Sequence, residues 1–554
     1  MSVVKFEHFQ RAAEEIGSHG DNDTLPFDID TRFIKDSAGS LSKIAMAFFE
    51  ELEKDGIKGA KKKIDSISVF SERLLVPTGS NGFRITTKIH PFWNLYLNGL
   101  AIAVAEVLEP RRYATAHAYR FIPDGKHIFD PTRSWKAYRE ATLEDRELTD
   151  EDGVTVIQTD ISSFYEHIYH HRLENCLQDL LPPNSTIPCQ IDRIFNQLAS
   201  GRSFGLPVGG QCSRVMAELL MHSIDQVLSE SGIAWHRYVD DYTLIAKTKA
   251  EAYKSLSTLS YALGDYGLTL NRSKTTLLSA KHYRDFVTSQ LGTTGDDAGK
   301  LREIDLRFDP YTDQQSLEKT IEEYDELKAA LKTLEIQAIL DLELQKSQPD
   351  TFLIAQVGRT MKYLPAHTVL NICSTFLAPQ NLHAFRASWS KIMRGIASVR
   401  CDDQYSVIFT QLDNWIDAVI AHSPHLLQPE ANCLHFLRLL RFTRSDARAA
   451  FLKNLYSYTS SQTVRRACTD CWRIWRHRAN FTQLRNNWGK MGAEEQRMLY
   501  LAAGQFGDEG EKFRQQVSDS LSEVWRIGTE RKQGNTFTAI FKKWAENVDS
   551  ESIS

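Results

Sequence analysis

Apolar and polar positions follow two different rhythms along this chain, and the change falls near residue 311. Before it, short runs rich in β-branched and aromatic residues stand between helical stripes. Val154-Thr155-Val156-Ile157 predicts a short strand that ends ahead of Asp160. Ile233–Arg237 and Tyr242–Ala246 predict two more, joined through Tyr238-Val239-Asp240-Asp241 into a tight hairpin with paired acids at its tip. Leu41, Ile44, Ala45, Phe48 and Leu52 make one face of a helix over 40–65, and further helices are predicted from Phe92 through Val107, over 215–227 and over 250–266. After 311, Leu317, Ile321, Tyr324, Leu327 and Leu331 recur at helical spacing. Helical stripes then continue to about 545, broken at Pro365, Pro379, Pro424 and Pro429, with no competing strand pattern. The expectation is an arm over 1–40, an α+β domain over 41–300 and an all-α domain of stacked helix pairs, an irregular helical-repeat solenoid, over 301–554.

The chain has 554 residues, room for three or four domain-sized units. A hydrophobic content of 42% and a charged content of 25% are ordinary for a soluble globular protein. The net charge of −5 carries no global basic signature, so nucleic acid would have to be met by local patches. Lys58, Lys61, Lys62 and Lys63 form one such patch. Arg465, Arg466, Arg473, Arg476, Arg478 and Arg485 interleave with Trp472, Trp475 and Phe481 in another. That texture fits a single-strand track, where bases stack and phosphates pair, with Arg473, Arg476 and Arg478 as the contacts. It fits equally a helix with core tryptophans and solvated arginines. No run reaches the roughly 18 apolar residues of a membrane span. Eight scattered cysteines and the absence of a signal peptide predict a reducing cytoplasm. Cys468 and Cys471 have no second pair at zinc spacing and read as two cysteines on a helix face.

Two adjacent aspartates repel each other, and a hard divalent cation such as Mg²⁺, which takes carboxylate and phosphate oxygens together, is the usual compensation. Asp160 supplies a third acid in matching context. Three such carboxylates can hold two metals roughly 3.5–4 Å apart and stabilise an in-line phosphoryl displacement. Gly205-Leu206-Pro207-Val208-Gly209-Gly210-Gln211 enters the 215–227 helix, and its glycines, Gly209 among them, allow close backbone approach to a nucleotide.

In order and spacing these residues resemble the palm of a reverse transcriptase across roughly 110 to 290: Asp160 matches motif A, 205–213 motif B, Tyr238–Asp241 the YxDD of motif C, and Gly267–Thr275 motif D. The resemblance implies a fingers and palm architecture, with Asp160, Ile161, Asp240 and Asp241 holding Mg²⁺ or Mn²⁺. It implies that Lys274 assists the leaving pyrophosphate, and that Tyr165 blocks the ribose 2′-hydroxyl and so selects deoxynucleotides. A triphosphate-binding arginine is implied in the hairpin around Pro123-Asp124-Gly125-Lys126; Arg120 is the first candidate, with Lys126 and Arg133 behind it. Core aromatics opening a helix remain an alternative for Phe164 and Tyr165, and ordinary surface cations for the arginines.

Two positions depart from motif B. Val208 stands where ordinary reverse transcriptases have a nucleotide-contacting Gln, and Arg214 stands where retron and group II intron types have Pro. A short palm, the missing Gln and a long helical half together resemble the abortive-infection (Abi) and defence-associated reverse transcriptases of bacteria. That family implies template-independent, protein-primed DNA synthesis from dNTPs, retention of single-stranded DNA product, a homo-oligomer (trimer or hexamer) with a HEAT-like helical half, and a role in anti-phage defence. Two alternatives stand beside it: a templated enzyme of retron or intron type, and a non-catalytic helical scaffold keeping a polymerase shape.

Overall fold

The computed structural model describes residues 3–79, 81–125, 127–291, 296–303, 321–521 and 536–548. They form two compact units. One comprises 1–15, 38–71 and 89–293; the other comprises 16–37, 72–88 and 294–554. The boundary between the units in the second half of the chain falls at 293/294, against the 300/301 expected from the sequence. The expected arm is divided, and 16–37 and 72–88 belong with the helices of the second unit. Among the described residues there are six strands: β1 (Ser71–Thr78), β2 (Gly82–Ile89), β3 (Thr155–Asp160), β4 (Ala234–Tyr238), β5 (Asp241–Ala246) and β6 (Thr276–Ser279). β1 and β2 pair with each other, and the other four form an antiparallel sheet in the order β4-β5-β3-β6.

That four-stranded sheet is the centre of the first unit. β3 and β5 are buried along nearly their whole length because both faces are covered. Val156 and Ile245 meet Tyr283 and Val287 of the Ala280–Leu291 helix. The Lys249–Asp265 helix packs on β3 and β5, and the Gln211–Glu230 helix packs beside it. The 40–65 helix runs from Ala38 to Asp65 and changes direction at Gly56, where φ is +65°. The helix from Phe92 is Pro91–Leu108; the His90 side chain accepts from the Phe92 N–H, and Pro91 occupies the first helical turn. This helix is apolar all round and long enough to cross a membrane, yet 89% of the stretch is buried inside the protein, as a core helix requires. The hairpin expected around Pro123-Asp124-Gly125-Lys126 forms no ladder among the described residues: a single bridge joins Phe121 to Phe129, and the Ile122 N–H donates to the Ile128 carbonyl at 3.0 Å. Lys126 lies outside the described residues.

In the second unit successive helices alternate between two rows. Thr351–Thr360, Trp389–Arg400, Glu430–Leu440, Gln462–Ile474 and Ala493–Ala502 pack one on the next, while Ile336–Leu344, Ala366–Leu377, Phe409–His422 and Asp446–Tyr458 form the second row. Gly358 and Gly395 let the first two backbones touch, since a Cβ on Gly395 would sit 2.3 Å from the Gly358 carbonyl oxygen. The earlier part of the amphipathic pattern, through Leu317, lies outside the described residues. Cys468 and Cys471 are buried on the Gln462–Ile474 helix, as two helix-face cysteines should be.

The N-terminal segments enter this unit through charge. Asp30, fully buried, sits between Lys88, Arg466 and Arg497, and Arg466 reaches it at 2.9 Å. Burial alone would raise the Asp30 carboxyl, and the three cations outweigh it and hold it far below its ordinary value. Removing one partner of such a buried set typically costs about 3–5 kcal/mol. Glu72 accepts from the Thr463 N–H at 2.8 Å, Glu430 from the Leu75 N–H at 2.9 Å, and the Thr24 carbonyl pairs with His435 Nε2 at 3.1 Å. A fragment of residues 1–300 therefore keeps Asp30, Phe33 and Leu74, which are buried in the whole chain, and loses the helices that bury them. We expect it to be aggregated or poorly soluble in size-exclusion chromatography with light scattering, and a soluble, monodisperse fragment would contradict the interleaving.

Candidate active site

The register of the sheet assembles the acids. Asp160 ends β3 and is the cross-strand partner of Asp241, the first residue of β5. The strand therefore runs to the aspartate itself, three residues further than the apolar run suggested. Asp240 occupies the two-residue turn between β4 and β5, and its carbonyl accepts from the Ile161 N–H at 3.2 Å. Burial, Asp241 and Asp160 push the Asp240 carboxyl up to about 7, and burial and Asp160 also raise Asp241, against Arg139 and Lys274. Three acids are thus gathered at one end of the sheet, where β3 ends and β5 begins, with more negative charge than the protein neutralises. The donor set is all oxygen, the chemistry a hard divalent cation takes, and Asp160, Asp240, Asp241 and the Ile161 main chain are the residues that would hold it.

The segment after the Lys249–Asp265 helix is tied to this end of the sheet. Asn271 N–H donates to the Asp160 carbonyl at 2.7 Å, and Lys274 Nζ pairs with the Asp160 carboxylate at 2.7 Å. That hydrogen bond, partly opposed by burial, raises the Lys274 ammonium, which stays charged through neutral pH. Gly267 opens the segment at φ +75°, and a Cβ there would lie 2.4 Å from the Tyr169 ring, so only glycine fits.

The hairpin is held from below by a guanidinium. Arg237, fully buried, spends its donors on Asp225 (2.7–3.2 Å), Glu218 (2.9 and 3.0 Å) and the Val239 carbonyl (2.9 Å). Arg112 adds a second cation to Glu218 at 2.5 Å, and the Tyr242 hydroxyl donates to Asp225 at 2.8 Å. Burial would raise Glu218, but Arg237 and Arg112 hold it below its ordinary value. Val239 itself takes φ +59°, a conformation a β-branched residue adopts only under constraint. The outer edge of β4 is covered too: the His117 N–H donates to the Arg237 carbonyl and the Arg237 N–H to Thr115, both at 2.9 Å. His117, His236 and Asp145 continue as a buried chain at 2.9 and 2.8 Å. Burial, then His236, lowers His117 to about 4, so it is neutral at physiological pH. Tyr138 stacks on Tyr238 with centroids 5.7 Å apart and bonds Thr243 at 2.7 Å, and the next residue, Arg139, acts electrostatically on Asp241.

The other candidates are placed as follows. Tyr165 is half-buried; its carbonyl accepts from Leu206 N–H at 2.8 Å, joining the turn after β3 to the glycine-rich loop, and Tyr119, Arg214 and Asp240 are among its electrostatic neighbours. Gly209 has φ +108° in that loop. Arg120 pairs with Glu109 at 2.6 Å and donates to the Tyr113 and Ala116 carbonyls, so its fork serves its own loop. In the second unit Arg473 is buried against Asp470 at 2.8 Å, Arg478 pairs with Glu509 at 2.8 Å, and Arg476 stands at φ +50° just after the Gln462–Ile474 helix. They form no bare row of guanidiniums. Arg237, Glu218, Asp225, Arg112, Arg139 and the His117–His236 pair were not singled out from the sequence. A usable signal was present: Glu218 and Asp225 lie seven residues apart, two turns along one helix and so on one face of it, with an arginine next to the YVDD turn.

The four-stranded antiparallel sheet brings three acids together where β3 ends and β5 begins. Residues 103–304 match the family model described as reverse transcriptase (RNA-dependent DNA polymerase), so the chain contains a reverse transcriptase domain and with it a polymerase-type enzyme. No curated protein matches the chain. Among solved structures it is similar to apo telomerase from Candida tropicalis truncated from its C-terminal domain (12% identity, 41% of this chain and 54% of that chain, TM-score 0.27). It is also similar to telomerase from Candida albicans with a TWJ fragment of telomeric RNA (12%, 64% and 67%, 0.28) and to apo telomerase from Candida tropicalis (10%, 70% and 72%, 0.29). The chain spans about half the length of the first of these.

Arg237→Met would leave Glu218 and Asp225 buried with one cation fewer. We expect a loss of about 3–5 kcal/mol in urea unfolding. The Glu218 contribution has the sign of a lowered carboxyl: it is present above 4.5, its ordinary value, and lost as pH falls through the lower folded value. Unchanged stability in Arg237→Met would show that the network does not hold the hairpin.

Proposed function

We propose that this protein synthesises DNA from dNTPs by metal-assisted nucleotidyl transfer, without a template and from a protein hydroxyl, as a homo-oligomer acting in bacterial anti-phage defence. The observation that carries the catalytic part is the gathering of Asp160, Asp240 and Asp241 at one end of the sheet, with Asp240 and Asp241 held above their ordinary values. Mg²⁺ or Mn²⁺ bound there would supply the positive charge that an in-line displacement at the α-phosphate requires. In that displacement a hydroxyl oxygen bonds to the α-phosphorus and the bond to the bridging oxygen breaks, releasing pyrophosphate. Lys274, paired with Asp160 and cationic, is suited to meet the leaving group's charge. Tyr165 is suited to the sugar-selecting role. Its carbonyl is fixed by the glycine-rich loop, and Asp240 acts on its phenol.

Template independence rests on Val208, an apolar side chain where a nucleotide-contacting Gln would stand. Priming from the protein, oligomerisation and the defence role rest on the family resemblance, and the two-row packing of the second unit supports its HEAT-like reading. The description of the matched family favours a second reading, copying of an RNA. Sequencing the product separates the two: random or homopolymeric DNA supports the first, and a fixed sequence matching an RNA supports the second.

Asp240→Asn removes a metal ligand and relieves a buried repulsion. We expect incorporation of labelled dNTP to fall at least a hundredfold. Without added metal, stability should hold or rise by roughly 1–3 kcal/mol at pH 8, where the wild-type carboxyl is ionised, with less gain at pH 5, where it is protonated. Wild-type incorporation by this variant would remove the assignment. Tyr165→Ala should raise ribonucleotide use relative to deoxynucleotide use several-fold in competition assays, and an unchanged ratio would leave Tyr165 as a packing residue.

A further inference from the structure

In the second unit the Thr351–Thr360 and Trp389–Arg400 helices approach backbone to backbone, and the contact gathers like charges. A Cβ on Gly358 would lie 3.0 Å from the Lys391 carbonyl oxygen. Arg359, the next residue, acts electrostatically on Lys391, and so does Arg394, one turn further along the same helix. All three side chains are half-buried. Arg359 Nη1 donates to the neutral Gln356 amide oxygen at 3.0 Å, and Arg394 Nη2 donates to the Leu25 carbonyl at 3.0 Å. Among the described residues Lys391 has neither hydrogen bond nor ion pair, and Arg359 has no ion pair. One carboxylate, Asp23, acts on Lys391 and is the weakest influence there; none acts on Arg359. His435, on the Glu430–Leu440 helix, adds no counter-charge: burial and Arg394 hold it well below its ordinary value. The turns 361–363, 386–388 and 403–408 also pack on the Trp389–Arg400 helix, and none of their charged groups acts on Lys391. Burial, then Arg394 and Arg359, bring the Lys391 ammonium down to about 7, the response of a cation crowded by its own kind.

We infer that Arg359, Lys391 and Arg394 form a binding site for a small phosphoryl anion, inorganic phosphate and pyrophosphate being its simplest members. Three cations around one carboxylate destabilise the bare fold, and a bound anion offsets that repulsion. Guanidinium forks match phosphate oxygens in pairs, and an ammonium adds a compact point charge. Binding draws Lys391 back to its charged form. Each anion therefore brings about one proton with it at pH 8 and almost none at pH 5, and affinity falls as pH rises through about 7. The site lies within the helical unit and does not depend on the polymerase reading.

The test uses the full chain in EDTA, with phosphate, pyrophosphate and sulfate as probes. Sulfate keeps its two charges throughout this pH range, so any proton taken up with it belongs to the protein. Lys391 is followed by brief acetylation and peptide mass spectrometry. We expect millimolar sulfate or phosphate to slow its acetylation several-fold, and chloride at equal ionic strength to leave it unchanged. Calorimetry at pH 8 in buffers of different ionisation enthalpy should show about one proton taken up per sulfate. Arg359→Gln and Lys391→Met should each weaken sulfate binding at least tenfold. Neither should lower the thermal transition in anion-free buffer, since each removes a repelling cation. Asp240→Asn should bind as the wild type does, which keeps this result apart from the polymerase reading. Equal slowing by chloride, no proton uptake, or unchanged sulfate binding in Arg359→Gln overturns the proposal. A lowered thermal transition in both variants overturns it too, because the cations would then stabilise the bare fold. So does protection of Lys391 by a 5′-hydroxyl oligodeoxynucleotide at concentrations where phosphate gives none, which would make the contact one with a strand.

Discussion

The geometry of the three-aspartate edge depends on one buried guanidinium. Arg237 lies under the turn that carries Asp240, and it spends its donors on two helix carboxylates and on the carbonyl of Val239. Without that fixed acceptor contact, a valine at φ +59° in a two-residue turn would relax, and Asp240 with it. The helix acids would in turn be stranded in the core. The aspartates of this turn and its neighbour, raised by burial and mutual repulsion, are thus supported by an opposite arrangement one layer down, where carboxylates are satisfied and a cation is central. Placing the strained turn on a satisfied network keeps the acids close before any metal arrives, which is the preorganisation that electrostatic catalysis relies on.

The helical unit uses the reverse arrangement. There a single buried carboxylate, Asp30, gathers Lys88, Arg466 and Arg497 from three separate stretches of chain. The consequence is topological: segments 16–37 and 72–88 are drawn out of the first half of the sequence to complete a unit built mainly from the second. Charges distributed this way make each unit depend on residues far apart in the chain, so truncation is a poor way to isolate either.

Much of this was readable from residue patterns. Strand pairs with acids at their ends, helices with one apolar face, and a glycine-rich helix entry are local features, and the strands and helices they predict are found with shifts of a few residues. β3 reaches Asp160 because Thr159 and Asp160 pair with Tyr242 and Asp241 of β5, a neighbour that a single-strand pattern does not contain. The hairpin at 121–129 falls short of a ladder although Asp124-Gly125 has turn chemistry, since turn residues favour a reversal without supplying cross-strand partners. The division of the N-terminal segments was illegible because long-range ion pairs such as Asp30–Arg466 leave no periodicity. The same is true of Arg120 and Arg473: composition marks an arginine as available, and only the fold shows Glu109 and Asp470 beside them.

The central claim is that the three aspartates carry out nucleotide transfer onto the protein itself. Its most direct measurement is incubation of the purified full chain with each radiolabelled dNTP and Mg²⁺, with no added nucleic acid, followed by denaturing electrophoresis. The account predicts label that migrates with the protein, resists boiling in detergent, grows into a ladder sensitive to DNase, and is absent from the Asp240→Asn variant. Incorporation that appears only when a template and primer are supplied, with none on the protein band, would contradict it.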